Sequence, residues 1–126
     1  MRRSWLYEIL KIVVVFGVRL FHRKFCVVGY ENLKGSTIPT IVVGNHQNAL
    51  LDPILCCSIL NQQLHWLTRS DVFKPGLVTA ILKGVNMLPV YREKDNVADL
   101  RDRNELIFQE CYKRLKQGKW ISLFPE

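Results

Sequence analysis

A chain of 126 residues, 48% of them hydrophobic, can enclose one core but is too short for two, which excludes a multidomain organisation. The formal net charge of +7 favours an anionic partner, yet no face combines basic and aromatic residues as a nucleic-acid binder needs, so a membrane surface or a phosphorylated small molecule fits better. Four cysteines without a Cys-x-x-Cys pair and three histidines without ligand spacing support neither a disulfide framework nor a zinc site, and suit a reducing compartment.

The first predicted element is Trp5–Phe21, "WLYEILKIVVVFGVRLF", strongly apolar but interrupted by Glu8, Lys11 and Arg19. Its uninterrupted stretch, 12–18, is well short of the roughly 20 apolar residues of a lone spanning helix. No small-residue cleavage site follows, so a removed signal does not fit either. Arg2, Arg3, Lys11, Arg19, Arg23 and Lys24 bracket or interrupt the segment. Together with Trp5 and the other aromatics they make the composition of a helix lying in a membrane interface, here on the cytoplasmic face. A core helix of a soluble protein is the competing reading. The expected division is a membrane-associating helix over 1–24 and one α/β domain over 25–126.

Beyond Lys24 the pattern alternates between short β-rich runs and longer helical ones. "KFCVVGYENL", 24–33, reads as a strand entering a turn, "GSTIP" as a loop, and "TIVVGNH", 40–46, as an apolar strand of the fully buried kind. Asp52-Pro53 opens a helix over "PILCCSILNQQ", since Asp can cap free amides and Pro is tolerated in a first turn. "LHWLTR", 64–69, is the next strand, followed by a helix around 77–83, a break at Gly84 and a strand over 87–91. Leu100, Leu106, Ile107, Cys111 and Leu115 recur at near-helical spacing over 98–117, and Gly118 is a natural stop before the strand "KWISLF". This alternation predicts an α/β fold with a mixed, largely parallel sheet flanked by helices. Only Pro125 and Glu126 follow the last strand, so the chain is expected to be a C-terminally incomplete piece of a longer one.

Chemistry concentrates in "VVGNHQNALLDP", where a histidine and an aspartate fall between a strand and a helix. In open α/β sheets that position faces the ligand crevice. His46 can accept a proton near neutral pH, and Asp52 can either orient it or cap the helix. Cys56 and Cys57 lie inside the helix and form no nucleophile elbow, so His46 reads as general base for a substrate hydroxyl. "GVNMLPVYR", 84–92, ends with Arg92 just past a strand, where it is either a solvated surface arginine or a two-pronged phosphate grip. "LFPE" puts Glu126 at the same presumed sheet edge.

The order of "GNHQNALLDP", "GVNMLPVYR" and "FPE" resembles the glycerolipid acyltransferase family, the 1-acylglycerol-3-phosphate and glycerol-3-phosphate O-acyltransferases. The resemblance covers much of the chain from Thr40 onward. It implies His46 as catalytic base, Asp52 as its orienter, Arg92 as the substrate phosphate ligand and Glu126 as part of the acceptor site. Gly44 and Asn45 are adjacent candidates for oxyanion donors, and Lys74 in "SDVFKPG" is a conceivable further basic contact. The implied reaction takes a fatty acyl group from acyl-CoA or acyl carrier protein to a hydroxyl of lysophosphatidic acid or glycerol-3-phosphate. Those thioesters are co-substrates, and neither a resident cofactor nor a metal is expected.

Two departures from the family pattern stand out. Five residues, Gln47, Asn48, Ala49, Leu50 and Leu51, separate the histidine from the aspartate where the usual pattern has four, as in some glycerol-3-phosphate acyltransferase-like branches. The glycine that follows Phe-Pro-Glu is absent. A nonenzymatic lipid-binding or membrane-remodelling protein with an acyltransferase-like fold is the alternative function.

Overall fold

The computed structural model describes residues 4–24, 26–45, 47, 48, 51–95 and 97–125. In chain order the elements are α1 (Trp5–Phe21), β1 (Ile41–Val43), α2 (Leu51–Ile59), β2 (Leu64–Arg69), α3 (Leu77–Gly84), β3 (Met87–Val90), α4 (Leu100–Lys116) and β4 (Trp120–Leu123). Short 3-10 turns cover Tyr30–Asn32, Ser70–Val72 and Glu93–Asp95.

The strands form one sheet in the order β1-β4-β2-β3, and every pairing among the described residues is parallel. Parallel neighbours cannot be joined by a tight turn, so a helix carries the chain back before each new strand. All four strands therefore deliver their following residues to one edge, where α/β sheets hold ligands.

Alternation along the strands splits the core into two layers. Leu64, Trp66 and Trp120 point to one face and pack with Leu60, Cys56 and Cys57 of the α2 segment. Leu88 and Ile121 point to the other and pack with Cys111, Ile107 and Leu115 of α4. Trp120, Leu64, Ile121 and Ser122 are the largest fully buried side chains, which puts β4 and β2 at the centre.

Two strand expectations are corrected. The stretch 24–33 forms no strand over its described residues: Cys26, Val27 and Val28 are irregular and exposed, Val28 at 92%, because no neighbour pairs with them. "TIVVGNH" supplies only β1, a three-residue edge strand with Ile41 and Val43 54% and 59% exposed. Its β-branched run suits a buried strand, but among the described residues it pairs on one side only, with β4.

Helix α1 spans the predicted segment and is inside out. Ser4 caps it by accepting from Tyr7 N at 3.3 Å. Two of its three charged residues face the protein: Glu8 Oε1 accepts from Gln63 Nε2 at 2.7 Å, and Lys11 Nζ donates to Leu60 O, while Arg19 is exposed. Trp5, Ile9, Ile12, Val13, Phe16 and Leu20 face outward, each at least half exposed. At 100° per residue these six lie within an arc of roughly 100°. Among the described residues no helix is long and apolar enough to cross a membrane.

Candidate active site

The segment after β1 carries Gly44, Asn45 and Asp52. Asp52 Oδ2 reaches back and accepts from Gln47 N and Asn48 N, both at 2.9 Å, while Asn48 Oδ1 accepts from Leu51 N at 3.0 Å. This reciprocal arrangement, a relative of the capping box, ties Gln47 and Asn48 to the first turn of α2. His46 and Glu126 lie outside the described residues. Gly44 N donates to Leu123 O at 3.3 Å, continuing the ladder past β1, and an added Cβ at Gly44 would stand 2.9 Å from Cε1 of Phe124. The glycine thus permits the close approach of two strand ends.

Arg92 is not a solvated surface arginine. Its side chain is only 23% exposed, and Nη2 donates to Asp95 Oδ1 at 3.1 Å and more loosely to Asp71 Oδ2 at 3.5 Å. Among the described residues its Nε and Nη1 are buried and have no hydrogen-bond partner. A guanidinium desolvated with two donors unused is poised for an anion, since each unmet donor costs on the order of 1–3 kcal/mol.

Asp95 is tied down from three directions. Its Oδ2 accepts from Arg92 N at 3.0 Å and from Ser70 Oγ at 2.7 Å, while Oδ1 takes the guanidinium. The Arg92 amide, the Ser70 hydroxyl and the Arg92 guanidinium hold its carboxyl down to about 2, so it is ionised at neutral pH. Asp71 belongs chiefly to Arg69, whose Nε and Nη2 grip it at 3.1 and 2.5 Å, and these bonds hold it below the usual carboxylate range.

A cavity of about 450 Å³ lies under α1 and α2 on the Trp66 face of the sheet, lined by Val14, Cys57, Trp66, Met87 and Phe124 and reaching Thr68 and Arg69 at the sheet edge. Phe124 stacks on Trp66 with ring centroids 6.2 Å apart. A second cavity of about 470 Å³ is more polar, with Asp71, Lys83, Tyr91 and Asp95 in its wall. The Arg69–Asp71 pair stands between the two, each partner lining one. Burial pushes the Cys56 thiol up, with Asp52 adding to the effect, which keeps that thiol in its un-nucleophilic form. Lys74 is exposed. Among the described residues no three His, Cys, Asp or Glu side chains converge as metal ligands would.

Sequence reasoning missed Ser70, Asp71 and Asp95. They lie in 3-10 turns past strand ends, and their meeting depends on β2 and β3 being parallel neighbours. The one available signal was position, since each follows a predicted strand by a few residues.

The acyltransferase family profile matches residues 24–126. The chain belongs to the acyltransferase family. It is 25% identical over 125 residues to the chloroplastic 1-acyl-sn-glycerol-3-phosphate acyltransferase LPAT1 of Arabidopsis thaliana, a match covering 99% of this chain and 33% of that protein. The similarity to the chloroplastic 1-acyl-sn-glycerol-3-phosphate acyltransferase BAT2 of Brassica napus is also 25% over 125 residues, covering 99% of this chain and 34% of the relative. The chain therefore spans about a third of the length of these curated relatives. No solved structure matches it significantly.

Proposed function

We propose that the full-length protein moves a fatty acyl group from an acyl thioester, acyl-CoA or acyl carrier protein, to a hydroxyl of lysophosphatidic acid or glycerol-3-phosphate in phospholipid biosynthesis. The observation that carries this reading is Arg92, a largely buried guanidinium with two donors unused, past the end of a strand in the same parallel sheet whose Trp66 face carries an apolar cavity. Membership of the acyltransferase family and the names of the two plant relatives agree with it.

In this scheme His46 takes the proton from the acceptor hydroxyl as that oxygen bonds to the thioester carbonyl carbon. The Asp52 carboxylate orients the imidazole and stabilises the imidazolium. The tetrahedral oxyanion collapses, the C–S bond breaks, and the proton on His46 passes to the departing thiolate. Of the two oxyanion candidates Gly44 has its amide engaged with Leu123 O, which leaves Asn45 as the better one. One such donor is worth about 3–4 kcal/mol. Arg92 grips the acceptor phosphate, Glu126 completes the acceptor site, and the apolar cavity takes the acyl chain.

The proposal places residues 1–24 on the cytoplasmic face of a membrane, with 25–126 forming the catalytic unit. The outward apolar stripe of α1, flanked by Arg19, Arg23 and Lys24, supports this. Deleting residues 1–23 from the full-length protein should abolish binding to anionic vesicles, and equal binding with and without them would remove the anchor from the scheme.

The catalytic test is turnover by the full-length protein, read as thiol release from acyl-CoA. His46→Ala and Asp52→Asn should each lower kcat at least about 100-fold, whereas Arg92→Ala should chiefly raise the KM of a phosphate-bearing acceptor. Unchanged turnover in His46→Ala ends the enzymatic reading. Phospholipid binding with no thiol release in the wild type would favour a nonenzymatic lipid-binding role.

A further inference from the structure

We infer that Asp95 is a positioning residue for the acceptor phosphate, acting through Arg92 by holding Nη2 and the Arg92 amide and leaving Nε and Nη1 as the unpaired donors. This rests on the reading of Arg92 as the phosphate grip. A free arginine side chain loses rotamer entropy on gripping an anion, and a carboxylate anchored by its own neighbours removes much of that loss beforehand.

The geometry distinguishes Asp95 from a competitor for the guanidinium. A competing carboxylate would be mobile and would have to leave when the phosphate arrives. Asp95 is built in: its side chain is 11% exposed, Ser70 Oγ and Arg92 N both donate to Oδ2, and its own amide donates to Arg92 O at 2.9 Å. It touches one of the three guanidinium nitrogens, and the other two, both buried, have no hydrogen-bond partner among the described residues. Asp71 fits the competitor's description better, being 44% exposed, 3.5 Å from Nη2 and committed to Arg69. The Ser70 bond matters because it ties the turn after β2 to the turn after β3, so the orientation of Arg92 is set by the sheet rather than by its own loop.

The test uses the full-length protein and compares a phosphate-bearing acceptor, lysophosphatidic acid, with its phosphate-free counterpart, a monoacylglycerol. Asp95→Asn should raise the lysophosphatidic acid KM about tenfold, with the loss falling on that KM rather than on kcat, and should leave the monoacylglycerol KM within about twofold. In an Arg92→Ala background the same substitution should add nothing, the signature of two residues acting as a unit. Equal losses with both acceptors, a fall in the lysophosphatidic acid KM, or a full additional loss on top of Arg92→Ala would each overturn the positioning role. If Arg92→Ala raises the lysophosphatidic acid KM but Asp95→Asn does not, the phosphate grip stands and only the role of Asp95 falls. If Arg92→Ala leaves that KM unchanged, the grip itself fails and this inference goes with it. Should Asp95→Asn melt below the assay temperature, Ser70→Ala carries the test: a rise of about two- to threefold confined to lysophosphatidic acid supports the role, and no change overturns it.

Discussion

The phenol of Tyr7, on the N-terminal helix, accepts the amide hydrogen of Leu64 at 3.1 Å, and Leu64 begins the central strand β2. Tyr7 is 3% exposed and Leu64 fully buried, so this bond ties α1 into the core. Burial, reinforced by Cys57, keeps the phenol protonated. Tyr7→Phe leaves a buried amide without its acceptor and should cost about 1–3 kcal/mol, seen as a melting temperature several degrees lower in the full-length protein. An unchanged melting curve would mean that α1 contributes nothing to holding β2.

His65 lies on the α4 face of the sheet, 4% exposed, with Nδ1 3.2 Å from Trp120 O. Burial first, then Arg114 and Lys119, push its pKa from 6.5 down to about 4. The unfolded chain therefore binds a proton that the fold refuses. Stability associated with neutral His65 is fully present above pH 6.5 and is lost as pH falls toward 4. Its ceiling is about 3 kcal/mol. Urea melts across that window should show the decline, and His65→Gln should flatten it; an equal decline in both proteins would assign it to other groups.

Gly44→Ala should destabilise by steric overlap rather than by backbone strain. The new methyl would lie 2.9 and 3.3 Å from two carbons of Phe124, the ring that stacks on Trp66. Overpacking of this kind costs about 1–3 kcal/mol. Thermal melts of the single variant and of Gly44→Ala with Phe124→Leu separate the causes. Recovery in the double variant identifies the contact, and a further loss would show that Gly44 is needed for some other reason.

The outward stripe of α1 can be changed without disturbing the core. Ile12 and Phe16 are 70% and 64% exposed, so Ile12→Glu with Phe16→Glu should alter folding stability by less than about 1 kcal/mol. Each apolar side chain is worth about 1.5–3 kcal/mol when buried, so vesicle affinity should fall at least tenfold if the stripe docks on lipid. Sedimentation with anionic vesicles measures this, and undiminished partitioning would show that the stripe faces something other than lipid.

Much of the framework was legible along the chain. Trp5–Phe21 and "LHWLTR" were delimited as they occur, and the helices and strands after residue 69 to within two residues, because apolar periodicity and stops such as Gly118 are local properties, whereas α2 ends at Ile59, four residues before the expected end of its helix. The edge position of β1 was not legible, since a β-branched run of three carries no record of how many neighbours it has. The polarity of α1 was hidden for a related reason: Glu8 and Lys11 look like interruptions until Gln63 and Leu60 O are known to lie beneath them.

The same division runs through the site. By itself the sequence determined that a histidine and an aspartate follow one strand, an arginine another, and a Phe-Pro-Glu a third, because residue type and distance from a strand end are written in linear order. His46 and Glu126 remain known at that level alone. Only the tertiary structure decided that Arg92 is buried with two idle donors, that Asp95 and Ser70 hold it, and that an apolar cavity opens beside Arg69. Those facts arise from the parallel pairing of β2 with β3 and from α1 folding over the sheet, and contacts between residues 22 to 25 positions apart leave no periodic trace for local reading to detect.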